Sequence, residues 1–135
     1  RFGVMHKNTY LNSPQLLDKH FNLRSNKRFY FAGQMTGVEG YVESAASGLM
    51  AGLAAARAVL ELPEVEFPDV TAHGALANYI SNPAIENFQP MNINFGLIPP
   101  LTVRIRKKRE KNAQIAARAL EALDGFLPVL KTEQA

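Results

Sequence analysis

At 135 residues, 47% of them hydrophobic, the chain can bury one core but not two, so it fits a single domain or a piece of a larger one. It has no cysteine, which excludes a disulfide framework, a cysteine-ligated zinc and a thiol nucleophile within these residues. The net charge of +3 is unevenly spread: residues 104–111 hold six of the fifteen Lys and Arg and one acidic residue, Glu110. That segment carries +5 and the rest −2, which points to an anionic partner at one face rather than a wholly basic coat.

In chain order, residues 1–6 read as a short apolar strand that opens inside a fold, which predicts a fragment. No stretch approaches the roughly 20 apolar residues that span a bilayer, so a soluble, cytoplasmic protein is expected. Ser13 as cap and Pro14 at the first helical position predict a short helix through Leu17. The aromatic run Phe29, Tyr30, Phe31 predicts a buried strand over residues 28–32, stopped at Gly33, and a glycine-spaced loop runs on to Gly40. Residues 41–62 lack proline and are rich in alanine, so they predict a long helix ended by Pro63. Gly48 and Gly52 share one face of it, which predicts a buried helix approached closely by another backbone. Thr71 is expected to cap a helix through about Ile80, closed by Asn82 and Pro83. Residues 84–103, with Pro90, Pro99 and Pro100, predict an extended connection. A last helix over 107–123 turns Ile115, Ala119, Leu120 and Leu123 inward and stops at Gly125.

The chemistry-bearing passage is Gly33-Gln34-Met35-Thr36-Gly37-Val38-Glu39-Gly40 between a strand and the long helix. Glycines let backbone amides approach an anion or a flat ring, and a helix N-terminus adds unpaired N–H groups and about half a positive charge. Such an end can face a pyrophosphate or the pyrimidine edge of a reduced flavin. The spacing is neither that of the dinucleotide fingerprint nor that of the Walker loop, and on spacing alone the glycines serve tight turns equally well. Glu39 and Glu43 suit the helix dipole better than an acid/base pair. His6, His20 and His73 lack metal-ligand spacing, so no metal site is predicted. The basic run is either a solvated face or a phosphate-contacting one. Gln89, Asn92 and Asn94, between Phe88 and Phe95, form either a covering loop or an amide-rich pocket for a pterin or pyrimidine.

Phe31-Ala32-Gly33-Gln34, Gly37, Gly40-Tyr41, Glu43, Ala45-Ala46, Gly48-Leu49 and Ala51-Gly52 together resemble the C-terminal FAD signature of two related families of tRNA-modifying flavoproteins. One makes ribothymidine in the T loop and the other modifies the wobble uridine, typically with a Gly-Thr-Thr-Gly-Tyr-Glu-Glu loop. The version here, Gly37-Val38-Glu39-Gly40-Tyr41-Val42-Glu43-Ser44, is similar to the folate-dependent methyltransferases. Met5-His6-Lys7-Asn8-Thr9-Tyr10, Gly74-Ala75-Leu76 with Tyr79-Ile80, and Phe88-Gln89-Pro90-Met91-Asn92 through Asn94-Phe95-Gly96-Leu97 to Pro99-Pro100 agree.

The resemblance implies an α/β fold: the helix-rich, C-terminal segment of a two-lobed, Rossmann-like FAD-binding protein of the glutathione-reductase type. It implies FAD reduced by NAD(P)H, methylenetetrahydrofolate as carbon donor, and tRNA as partner. Gly33, Gln34, Gly37, Val38, Glu39, Gly40 and Tyr41 are then the flavin-side residues. His6, Asn8, Tyr10, Gln89, Asn92, Arg104, Arg106, Lys107 and Lys108 become candidates for substrate or tRNA. Residues 1–62 would complete the FAD-binding domain, 63–103 cover it, and 104–135 form a basic helix and tail. The family's nucleophilic cysteines and N-terminal glycine-rich loop have no match here, so no catalytic residue is expected in this chain and no activity from it alone. Three other readings stand beside this one: the wobble-uridine enzyme, a nicotinamide-dependent flavin disulfide reductase without RNA, and a non-enzymatic RNA-binding fragment.

Overall fold

The structure is a computed structural model that describes residues 9–131; the expected strand over 1–6 lies outside the described residues. Four helices follow in order: α1 (Ser13–Leu16), α2 (Tyr41–Val59), α3 (Ala72–Ser81) and α4 (Lys108–Lys131), with a 3-10 turn over Gly33–Thr36 before α2. The chain is helix-rich, and its β pairing among the described residues consists of the isolated bridges Leu17–Leu23, Asn22–Tyr30 and Val38–Met91.

The aromatic run at 28–32 is therefore not the buried strand that its composition predicts. It is an extended segment held to residues 21–23 by the Leu23 N–H to Phe29 C=O bond (2.9 Å) and the Phe31 N–H to Phe21 C=O bond (2.9 Å), and Phe29 is 55% exposed. A strand buried on both faces needs neighbours along its whole length. Here the neighbouring segment turns away at Phe21, which holds φ +65°.

Leu17, Phe21, Val38, Met50, Leu76, Ile80 and Phe88 form the core, where α1, α2 and α3 meet the segment around Phe88. Asn12, not Ser13, stands at the cap position of α1, and the Ser13 hydroxyl donates to the Thr36 carbonyl at 2.8 Å, pinning the 3-10 turn to α1. Thr71 caps α3 as its sequence predicts, its hydroxyl oxygen accepting from the Gly74 N–H at 3.0 Å. Gly74 is obligatory there, because a Cβ would lie 2.1 Å from the Pro68 carbonyl oxygen.

α2 ends at Val59, before Pro63 could stop it. The Leu62 N–H bonds the Arg57 carbonyl (2.9 Å) and the Glu61 N–H bonds the Ala58 carbonyl (3.3 Å), with Glu61 at φ +56°. This is a Schellman stop with glutamate in the place glycine usually takes. The expected burial of the Gly48–Gly52 face is also corrected: both glycines are exposed, and a Cβ on either would meet nothing within 4 Å. The buried side of α2 is instead the one carrying Ser47, Met50, Ala51 and Arg57.

α4 runs through Gly125 and contains Pro128. Its attachment lies beyond the expected stop, at Phe126, whose ring is 4.8 Å from that of Phe67. Ile115 is buried as expected, whereas Leu120, expected inward, is 64% exposed. The intervening segment 84–103 is irregular, as its prolines predict. The Arg118 guanidinium holds its end by donating to the carbonyls of Pro99 and Pro100. No helix among the described residues is long and apolar enough to cross a membrane.

Candidate functional site

The loop before α2 owes its shape to three glycines in the left-handed half of backbone space: Gly33 (φ +72°), Gly37 (φ +86°) and Gly40 (φ +95°). At two of them a Cβ would collide with a neighbouring side chain as it now stands. A Cβ on Gly37 would lie 2.3 Å from the Phe88 ring, and one on Gly40 would lie 2.2 Å from Glu43 Oε2 and 2.9 Å from Asn92 Nδ2. Backbone bonds then join the loop to the proline-rich segment: Glu39 N–H to Met91 C=O (3.0 Å) and Met91 N–H to Gly37 C=O (2.9 Å).

Two serines on α2 fasten the other side. The Ser47 hydroxyl accepts from the Gly33 N–H at 2.7 Å and donates to the Ser44 carbonyl at 2.7 Å. Glu43, in the first turn, accepts from Asn92 Nδ2 and from the Ile93 N–H, both at 3.4 Å. Its carboxyl is held below the usual range chiefly by its own backbone N–H, with Asn92 and Ile93 adding to the effect. Glu43 thus settles the helix end and ties it to residues 92–93, as the dipole argument expects.

The result is a cleft of about 530 Å³ lined by Gln34, Glu39, Gly40, Tyr41, Ser44 and Asn92. The first intrahelical bond of α2 runs from the Ser44 N–H to the Gly40 carbonyl, so the amides of Tyr41 and Val42 precede the ladder. The side-chain amides of Gln34 and Asn92, the Ser44 hydroxyl and the Glu39 carboxylate supply both donors and acceptors, as a heteroaromatic edge with alternating C=O and N–H groups requires. A flavin pyrimidine edge fits this donor set, and bound there FAD would supply the redox chemistry.

The structure brings together Gln34, Glu39, Gly40, Tyr41 and Asn92 from the residues proposed on sequence. Gly37 and Val38 are buried beneath the loop and shape it without lining the cleft, and Gly33 begins the 3-10 turn. Tyr10 packs edge-on against Phe88, with ring centroids 6.0 Å apart. Gln89 contributes its backbone carbonyl to the Tyr79 hydroxyl (2.6 Å) and is absent from the cleft lining. His6 and Asn8 lie outside the described residues.

Arg104, Arg106, Lys107 and Lys108 are exposed, and Lys107 pairs with Glu110 at 3.3 Å. His20 stands 3.7 Å from Asp18 and 3.8 Å from Glu64, and His73 stacks on Phe67 at 5.0 Å with its pKa lowered by burial. Sequence reasoning did not single out Ser44 and Ser47. Their signal was two hydroxyls, three apart, on a helix otherwise filled with alanine.

The family model described as "Glucose inhibited division protein A" matches residues 1–63. The chain is 57% identical over 130 residues to the methylenetetrahydrofolate–tRNA-(uracil-5-)-methyltransferase TrmFO of Pelotomaculum thermopropionicum, covering 96% of this chain and 30% of that protein. Proteins of the same name from Desulfitobacterium hafniense and Halalkalibacterium halodurans are 56% and 54% identical, over 93% and 94% of this chain and 29% of each relative. Over nearly all of its own length, then, the chain is a relative of the methylenetetrahydrofolate–tRNA-(uracil-5-)-methyltransferases named TrmFO, spanning about 30% of theirs.

Proposed function

We propose that the chain is the C-terminal portion of a cytoplasmic enzyme that forms 5-methyluridine in the T loop of tRNA. The carbon comes from methylenetetrahydrofolate, and the reductant is FAD, itself reduced by NAD(P)H. The observation that carries this reading is the 54–57% identity to TrmFO proteins over more than nine-tenths of the chain. The cleft before α2 supports it, since its donors and acceptors match a flavin edge.

In this reading the fold is one wall of a two-lobed, Rossmann-like, glutathione-reductase-type flavoprotein. Residues 1–62 complete the FAD-binding domain, 63–103 cover it, and 104–135 form the basic helix and tail. Gln34, Glu39, Gly40 and Tyr41 hold the flavin, while Gly33, Gly37 and Val38 give the loop its shape. Asn92, with His6, Asn8, Tyr10 and Gln89, serves the folate or the uracil. Arg104, Arg106, Lys107 and Lys108 meet tRNA phosphates. The nucleophilic cysteines belong to another part of the polypeptide.

The test is nucleoside mass spectrometry on tRNA lacking 5-methyluridine, incubated with the full-length polypeptide, methylenetetrahydrofolate and NAD(P)H. 5-Methyluridine in the T loop is expected. A flavin-loaded protein that leaves the T loop unmodified while altering the wobble uridine, or reducing a disulfide, would overturn the proposal.

A further inference from the structure

Beside the basic run, residues 101–105 and one face of α4 enclose a groove of about 270 Å³. Gln114, Ala117, Arg118 and Glu121 recur at spacings of three and four, so they share that face of the helix. Val103 and Ile105 belong to the other wall, and Val103 is 70% exposed. Ala117 contributes only a methyl group, which leaves the space above it open. The groove is therefore a slot with apolar walls and hydrogen-bonding side chains along the helix side. Arg118 fixes its shape, since its guanidinium donates to the Pro99 and Pro100 carbonyls. The remaining donor of that group, the buried Nε–H, has no acceptor among the described residues. Arg104 and Arg106 alternate in sequence with Val103 and Ile105, and both are exposed.

We propose that this groove takes one unpaired base of the tRNA, a base that carries an exocyclic amino group, while Arg104 and Arg106 hold the phosphates beside it. The inference rests on the reading of tRNA as substrate. The groove suits a single ring system, because it falls just below the roughly 300–1,000 Å³ of pockets for larger ligands. Only an unpaired base can enter, since a paired one has its faces stacked and its Watson–Crick edge engaged. Glu121 then chooses among the bases. A carboxylate only accepts hydrogen bonds, so it requires an N–H donor opposite. In uracil the one ring N–H lies between two carbonyl oxygens, which a carboxylate repels. Adenine, cytosine and guanine instead present an NH2 group, next to a ring nitrogen or carbonyl that can accept from Gln114 or from the Arg118 Nε–H. The groove thus reads a base other than the uridine that is modified, and it sets the register of the RNA on the protein. Phosphate contacts alone carry no such information, and a face built only to attract phosphate would not include a carboxylate.

The test uses the full-length polypeptide and tRNA transcripts. Ala117→Leu fills the groove with a good helix former, and Gln114→Ala removes a hydrogen-bonding group from an exposed position. Each should weaken tRNA binding by about fivefold or more. The slope of log affinity against log salt should stay unchanged, because a base contact and not a phosphate contact is lost. Base-specific chemical probing should find one unpaired amino-bearing base protected by the unsubstituted protein and reactive again in saturated Ala117→Leu complexes. Uracil placed at that position should lower affinity for the unsubstituted protein but not for Ala117→Leu. Hydroxyl-radical footprinting should label Val103 in the free protein and lose that label when tRNA is added. Should Ala117→Leu fail to fold, Gln114→Ala and the uracil substitution decide. Affinity unchanged in both variants, or Val103 already protected before tRNA arrives because polypeptide fills the groove, would overturn the proposal. 5-Methyluridine formation measured on the same samples separates the two readings. Variants that bind tRNA normally on an active enzyme sink the groove alone, whereas a protein that reads the base without methylating the RNA upholds the groove and sinks the proposed activity. Absence of tRNA binding altogether sinks both.

Discussion

Replacing Gly40 with alanine tests whether the cleft floor is built as described. Gly40 holds φ +95° and ψ 148°, a region that only glycine visits at low cost. Forcing an L-residue there costs about 1–3 kcal/mol. The added Cβ would also stand 2.2 Å from Glu43 Oε2, but that atom ends a flexible side chain and can rotate away, giving up its bonds to Asn92 and Ile93. The backbone contribution therefore dominates, and at roughly 3 °C per kcal/mol for a domain of this size the melting temperature should fall by about 3–9 °C. Differential scanning calorimetry measures this. Repeating the substitution in a Glu43→Ala background, where the nearest collision partner and its bonds to Asn92 and Ile93 are already gone, should retain most of the loss, the difference being the coupling between the two sites. In the full-length polypeptide, flavin occupancy should fall as the displaced carboxylate enters the cleft. An unchanged melting temperature together with full flavin occupancy would show that Gly40 needs no positive φ and that the cleft is wrongly drawn.

Three further expectations follow from the same geometry. Phe126→Ala should cost about 3–5 kcal/mol in urea unfolding because it removes the ring packed on Phe67, whereas Leu120→Ala, at an exposed position, should stay within about 0.5 kcal/mol; equal losses would refute the Phe126 anchor. Glu43 has a folded-state pKa below its ordinary 4.5, so its contribution is present above that value and lost as pH falls through the lowered one. Glu43→Gln should therefore flatten the decline in urea midpoint below about pH 4.5, and an identical decline would remove Glu43 from this role. Neutralising Arg104, Arg106, Lys107 and Lys108 together in the full-length polypeptide should reduce the slope of log affinity for tRNA against log salt by up to about 3; an unaltered slope would return the run to a solvated face.

Helices whose ends are written by local chemistry were legible in the sequence. Thr71 with Asn82 and Pro83 bounded α3, and the alanine run gave α2 its start and most of its length. Where a distant contact decides, local reading failed. Phe126 packs on Phe67 and α4 runs on through Gly125. The end of α2 was missed for a local reason, since Glu61 takes a left-handed conformation that glutamate seldom adopts. The aromatic run at 28–32 looked like a core strand because composition records burial preference and not the number of pairing partners. In the cleft, the glycine spacing marked the loop correctly. It did not distinguish Gly37, which makes room for Phe88, from Gly40, which makes room for Glu43 and Asn92, because Phe88 and Asn92 lie about fifty residues downstream.

The bonds from Arg118 to the carbonyls of Pro99 and Pro100 close a loop of the chain on itself, and the six cations of residues 104–111 lie inside that loop. One guanidinium thus works as a clasp against two opposing tendencies: the mutual repulsion of the enclosed charges and the chain entropy of a segment of roughly twenty residues. Proline backbone lies on one side of it and helix on the other, so the charges are gathered into one closed stretch of the chain. Part of the ordering that a flexible basic tail would undergo on binding is already complete in the free fold.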